Sequence, residues 1–188
     1  MNARYLSLGL VSLALLATLG CAPQKSEAEQ AAEALDRGLQ AHGEGRLDDA
    51  ATAYREVLVH EPTNKFAFYN LGLIDQTLGR PDAAEANYRL ALSVDPNFAS
   101  ALFNLAILRN EAGATEEAIE LYRHVLALQP DNAGAHLNIG LALRAVGQEA
   151  EAQEHLALAV ALDPNLGPRV PTSVTETPIA MPSTPPTP

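Results

Sequence analysis

Few side chains in this 188-residue sequence have types and spacings that could do chemistry. Sulfur nucleophilicity comes from one residue, Cys21. A single thiol cannot close a disulfide within the chain, so stability has to come from packing. Five histidines, His42, His60, His124, His136 and His155, are scattered without metal-ligand spacing, and no second cysteine could complete a site. Nucleophile–base arrangements and phosphate-cradling glycine loops are not legible. The sequence therefore reads as that of a non-enzyme, with no catalytic residue, metal or cofactor expected. What does recur is a carboxamide: Asn70, Asn104 and Asn138 stand 34 residues apart, with Asp36 in the corresponding place upstream. An amide both donates and accepts, so it can pair with a peptide backbone whatever the side chains of that peptide.

The elements that position these asparagines follow the same ruler. Pro62, Pro96, Pro130 and Pro164 are each 34 residues apart, as are Gly45, Gly79, Gly113 and Gly147. Ala50, Ala84, Ala118 and Ala152 repeat with them, and so do Gly38, Gly72, Ala106 and Gly140. Tyr54, Tyr88 and Tyr122 form a fifth column, with Leu156 in its fourth place. The columns have physical jobs. Glycine ends a helix because it takes the left-handed conformation without steric cost. Proline ends the next helix because it lacks an amide hydrogen and disfavours helix in the residue before it. Thr63, Asn97, Asp131 and Asn165, which follow the prolines, are expected N-caps. The small residues let two helices approach closely, and the tyrosines fill the space between them.

A 34-residue unit of helix A, turn and helix B resembles the tetratricopeptide repeat (TPR) family. Unit ends at the prolines give repeats over 31–64, 65–98, 99–132 and 133–166. The family's early Trp of helix A is absent, its place taken by Ala34, Phe68, Leu102 and His136. The resemblance implies an all-α fold, an α-solenoid of four TPR hairpins wound as a right-handed superhelix, with a concave face lined by helices A. It also implies a ligand there, a protein or extended peptide. By register the inward residues include Phe66, Tyr69 and Leu73 in the second repeat, Phe103 and Ile107 in the third, and Leu137 and Leu141 in the fourth, interleaved with Asn70, Asn104 and Asn138. Such a row of asparagines is similar to the ladder of TPR glycosyltransferases; the alternative is that it is common repeat sequence. The carboxylate clamp of chaperone-binding TPR domains is matched only at Asn70 and is not expected.

The amino terminus reads as an address. Arg4 precedes an uncharged, mostly apolar run from Tyr5 to Leu19, too short to span a bilayer as a helix. It closes on Thr18-Leu19-Gly20-Cys21, which resembles the bacterial lipobox, with Thr18 where Leu is usual. The resemblance implies a signal peptide over 1–20, cleavage before Cys21, a diacylglycerol on its sulfur and acylation (palmitate) of its freed amine. Two or more acyl chains give stable anchoring where one does not. Residues 21–30 would be the tether and the start of the first helix. Ala22 in place of Asp implies outer-membrane sorting if the cell is Gram-negative. The expected location is the cell envelope, and the expected partners are a protein or peptide there and the membrane. The competing readings are a cleaved signal with a free thiol and a cytoplasmic or inner-membrane-anchored adaptor with an uncleaved segment.

Charge and composition bound the rest. Formal net charge is −11, so a phosphate backbone would be repelled and no nucleic acid is expected. Residues 167–188 hold seven of the 13 prolines among Thr and Ser, and are expected to be disordered. Between the last repeat and this tail no capping helix is legible. The stretch Leu156, Leu158, Val160 and Leu162 is apolar all round, which predicts an exposed end covered by a second copy, by a partner, or by the tail folding back.

Overall fold

A computed structural model describes residues 25–170. Residues 1–20, Cys21 and the tail from Pro171 onward lie outside the described residues. Eight α-helices follow one another in four hairpins: α1 (Glu27–Gly43) with α2 (Leu47–His60), α3 (Lys65–Thr77) with α4 (Pro81–Val94), α5 (Ala99–Glu111) with α6 (Thr115–Leu128), and α7 (Ala133–Ala145) with α8 (Glu149–Leu162). Each hairpin packs on the next through its second helix, and a 3-10 turn over Pro164–Arg169 rests on α8. Among the described residues there is no strand, and the architecture is the all-α solenoid of helical hairpins.

Two local rules set this pattern. Every odd-numbered helix ends on a glycine at positive φ: 74° at Gly45, 67° at Gly79, 80° at Gly113 and 80° at Gly147. Beyond Gly45 the Arg46 amide donates to the Ala41 carbonyl at 2.8 Å, and the Gly45 amide donates to the His42 carbonyl at 3.0 Å. This pair of bonds is the Schellman closure, and it recurs after α3, α5 and α7. An L side chain at these positions would be strained, which is why the column holds only glycine.

The second rule is close approach within each hairpin. A Cβ placed on Gly38 would lie 2.5 Å from a ring carbon of Tyr54, and one on Gly72 would lie 2.5 Å from the matching atom of Tyr88. In the last hairpin a Cβ on Gly140 would meet Leu156 Cγ at 2.7 Å. The third hairpin carries Ala106 and Tyr122, both buried, so that crossing accommodates one methyl. Ala50, Ala84, Ala118 and Ala152 are fully buried beside these contacts. Their small size sets the interhelical distance, since close-packed interiors leave no slack for a larger group.

Three sequence expectations need correction. The N-caps fall one residue later than the proline spacing suggests. Asn64 and Asn132, not Thr63 and Asp131, accept from the amides of Ala67 and Ala135 at 3.0 and 2.9 Å. Phe98 takes that place before α5 and gives no side-chain cap. Asn97 and Asn165 instead sit in turns in which Asp95 and Asp163 accept their backbone amides. Residues after the proline still belong to the preceding turn, so the first free helical amides come one position further on.

The apolar stretch of α8 is not one exposed surface. Leu156 is 3% exposed and stacks on Gly140, the role that tyrosine plays in the other hairpins. Leu158 and Leu162 are 47% and 41% exposed, while Val160 is partly covered. The tail does not begin at Gly167 either. Leu166 and Val170 pack against Leu137, Leu156 and Ala159, so the chain folds back over the end of the last hairpin through Val170.

Ion pairs knit neighbouring hairpins. Arg89 and Arg109 each bond both Glu85 and Glu117 at 2.7–3.0 Å, linking α4, α5 and α6. These groups are in contact with solvent, which screens the pairs, so they fix geometry between hairpins more than they add stability. In the last hairpin His136, buried, donates Nε2–H to the Pro130 carbonyl at 2.9 Å, and its Nδ1 faces Nδ1 of His155 at 2.8 Å. A carbonyl can only accept, so Nε2 of His136 carries the hydrogen in that bond, and its Nδ1 accepts from the N–H of His155. Burial, then the neighbouring His136 imidazole, hold the His155 pKa below its ordinary value; Glu151 and Glu154 oppose this and Arg123 reinforces it.

Two outcomes follow from this packing. Ala118→Leu overpacks the third crossing and is expected to cost about 1–3 kcal/mol by chemical denaturation; an unchanged midpoint would contradict the placement of Ala118. Because the folded pKa of His155 is depressed, its contribution is intact above pH 6.5, the ordinary value, and is lost as pH falls below it. Thermal melts should therefore fall between pH 7.5 and 5.5, and His155→Gln should flatten that slope; an equally steep slope in the variant would show that other groups set it.

Candidate peptide-binding groove

Helices α1, α3, α5 and α7 line one face of the array. On α3 the residues Phe66, Tyr69, Asn70 and Leu73 are spaced i, i+3, i+4 and i+7, so they form one stripe along the helix. The opposite stripe, Ala67, Leu71 and Ile74, is buried in the core. The same division holds on α5, where Phe103, Asn104 and Ile107 are half-buried while Leu102, Leu105 and Leu108 are buried. On α7, Asn138 and Leu141 are half-buried, but Leu137 is 1% exposed and belongs to the core. Leu137 is thus removed from the expected groove set. Its neighbour in the array is the 3-10 turn, whose Leu166 and Val170 cover it.

The amino-terminal half of the face is aromatic. Phe66 is 47% exposed, and its ring meets Phe98 edge-on at 5.5 Å between centroids. Phe98 also meets Tyr69 at 5.1 Å. Lys65 places Nζ 5.2 Å from the Phe66 ring and 5.1 Å from Phe98, and is held there by an ion pair with Asp95. Phe98, Lys65 and Ser100 were not among the residues that sequence register selects. The signal was available for Phe98: it interrupts the Asn64, Asn132 column, and an aromatic where a cap belongs needs another reason to be there.

The asparagines already have bonds within the chain. Asn70 Nδ2 donates to the Phe66 carbonyl of its own helix at 2.8 Å. Asn104 Nδ2 donates to the Tyr69 hydroxyl of the preceding hairpin at 3.0 Å. Asn138 bonds the Tyr122 hydroxyl. Burial pushes the phenol of Tyr69 up, partly offset by its bonds with Asn104 and Ser100. A carboxamide has two N–H donors and an acceptor oxygen, so Asn70 and Asn104 each keep a donor and an acceptor for a ligand.

Two depressions mark the floor of the face. One of about 200 Å³ is lined by Tyr69, Ser100, Phe103, Asn104, Gln129 and Asn132. The other, of about 270 Å³, lies between Ile107, Glu111, Tyr122, Asn138 and Leu141, with Arg169 reaching in from the 3-10 turn. A further hollow of about 360 Å³ between α1 and α2 is lined by Arg37, Arg46, Asp49 and Glu56, which pair with one another. Their mutual pairing leaves that hollow without a free charge for a ligand. Among the described residues no group of three or more His, Cys, Asp or Glu is arranged to hold a metal ion.

A family model described as tetratricopeptide repeat matches residues 67–98 and 133–166, and one described as TPR repeat matches 108–147. Over those segments the chain carries tetratricopeptide repeats. Curated protein sequences yield no significant match. Among solved structures, MamA from Desulfovibrio magneticus RS-1 is similar at 23% identity over 72% of this chain and 77% of that one, with a TM-score of 0.67. PilF from Pseudomonas aeruginosa matches at 26% identity over 75% of this chain and 64% of that one, with a TM-score of 0.66. The first TPR domain of Spaghetti (RPAP3), solved bound to an HSP90 peptide, matches at 22% identity over 65% of this chain and 97% of that one, with a TM-score of 0.61. TPR domains of this fold generally act as interaction modules rather than catalysts.

The bonds of the asparagines separate structural from ligand-binding roles. Asn104→Ala removes one of the two bonds that the Tyr69 hydroxyl makes to α5, the other being with Ser100, and is expected to cost about 1 kcal/mol. Asn70→Ala removes only a bond within its own helix and should cost less than half of that. Urea denaturation of the two variants checks the order, and equal losses would contradict it.

Proposed function

We propose that this chain is a membrane-anchored interaction scaffold that holds an extended peptide, or an extended segment of a partner protein, against the face of α3, α5 and α7. One observation carries the reading: a continuous row of half-buried aromatic and aliphatic side chains alternates with carboxamides that retain hydrogen-bonding capacity. Apolar side chains give affinity by leaving water, at about 25 cal/mol per Å² buried. Carboxamides hold a peptide backbone without demanding a particular sequence. The HSP90 peptide bound to Spaghetti supports the idea that this fold accepts peptides.

Anchoring rests on the Leu19-Gly20-Cys21 segment, whose thioether and amide acylation would hold the repeats at a membrane surface. Among the described residues no helix is long and apolar enough to cross a membrane. With that anchor, the partner is a protein of the cell envelope, and the service is assembly of an envelope complex such as a pilus, a secretion apparatus or outer-membrane machinery. Leu158 and Leu162 offer a second, smaller contact surface, which a homodimer would use.

Crosslinking in cells, followed by purification and mass spectrometry, tests both parts. The mature chain should begin at acylated Cys21, and a chain retaining Met1 would end the anchoring argument. A defined envelope protein should be captured, and Asn70→Ala with Asn104→Ala should reduce its recovery at least fivefold while the fold persists. Undiminished capture by that folded variant would remove the asparagines from the binding surface.

A further inference from the structure

The 3-10 turn delivers the rest of the chain to the groove. Val170, the last described residue, packs against the same buried cluster of Leu137, Leu156 and Ala159 as Leu141 does, and Arg169 lines the same depression as Asn138, Tyr122 and Ile107. The described chain therefore ends, at Val170, beside the carboxy-terminal end of the face that the asparagines occupy. The following 18 residues, 171–188, contain six prolines and a single charge, Glu176, with Val174, Ile179 and Met181 as their larger apolar side chains.

Such a segment suits this surface on three grounds. Proline-rich chain adopts the extended polyproline conformation at little entropic cost and docks on aromatic-lined grooves; Phe66, Tyr69 and Phe103 supply the rings. Prolines lack amide hydrogens, so the segment carries carbonyl acceptors in excess of donors, and the remaining N–H groups of Asn70 and Asn104 match that excess. Reach is sufficient: at about 3.1 Å per residue, 18 residues extend about 56 Å. Packed helices lie about 8–10 Å apart, so even with a helix B between successive helices A the two steps from α7 to α3 come to at most about 40 Å.

We infer that residues 171–188 dock intramolecularly along the α7, α5 and α3 face and compete with the external partner for it. The inference rests on the reading of that face as a peptide-binding groove. Tethering makes a weak contact sufficient. A short linker gives an effective concentration on the order of 1 mM, so a contact of about 100 µM in trans would fill the groove roughly nine-tenths of the time in cis. The partner then meets a site whose apparent affinity is lowered about tenfold.

A fluorescent peptide of sequence 171–188 provides the test, added to the full chain and to a chain ending at Val170. The shortened chain retains every packed residue of the repeats, and circular dichroism verifies its fold. It should bind the peptide at least tenfold more tightly than the full chain does, and Phe66→Ser in the shortened chain should weaken binding at least fivefold. Absence of binding to the shortened chain overturns the inference, as do equal affinities of the two chains or indifference to Phe66→Ser. A full chain that masks its groove only as a concentration-dependent dimer overturns the intramolecular form. A shortened chain that captures the envelope partner yet ignores the peptide defeats this inference alone, whereas one that captures neither defeats the groove reading as well.

Discussion

Everything in this molecule depends on how near the two helices of a hairpin can come. At Gly38 and Gly72 the opposing tyrosine ring already fills the place of a side chain, and at Gly140 a leucine does so. The buried alanines 50, 84, 118 and 152 keep the partner helix at the same short distance. A close crossing consumes one stripe of helix A completely. It leaves the stripe three and four residues round only partly covered: Tyr69 and Leu73 reach the edge of the cluster around Tyr88, while Phe66 stays 47% exposed. The groove is therefore a remainder of the packing rule, and it exists because each helix A is covered on one side by its own helix B.

That rule was legible because each of its parts is a backbone or steric demand met by one residue type at a fixed interval. Left-handed glycines, helix-ending prolines and small residues at crossings cannot be exchanged freely, so the 34-residue columns survive in the sequence. Less was legible where a position depends on neighbours. The N-caps shifted to Asn64 and Asn132 because capping is set by the first helical amide, which proline spacing only approximates. Leu156 stood in the tyrosine column, and that column placed it in the core more reliably than the all-apolar composition of α8 placed it at the surface. Leu137 was misplaced for a different reason. The register of helix A points it toward the groove, but Leu166, at the end of the last repeat, and Val170, from sequence that looked like tail, close over it.

The candidate site shows the same division between repeat and context. Register found the asparagines and the apolar stripe. It did not find that Asn104 and Asn138 bond tyrosine hydroxyls of the preceding hairpin, because those bonds cross between repeats. The amino-terminal end lacks the equivalent. The buried Tyr54 hydroxyl has no hydrogen-bond partner, and Asn70, which corresponds to Asn138 by spacing, turns to its own helix. Carboxamides thus secure the later hairpins to one another, while Asn70 is the one least engaged between hairpins.

This gradient gives the groove a direction. Its amino-terminal part presents the exposed Phe66 ring, the Phe98 edge and a cation held at the rings by Asp95. Its carboxy-terminal part presents aliphatic Ile107 and Leu141 beside Glu111 and Arg169. Aromatic rings favour flat or proline-like apolar groups, whereas the aliphatic depression has no preference for them. A symmetric ligand would gain nothing from such a difference, but a polypeptide has two distinct ends and one backbone polarity. A groove with unlike halves discriminates between the two orientations of an extended segment laid along it.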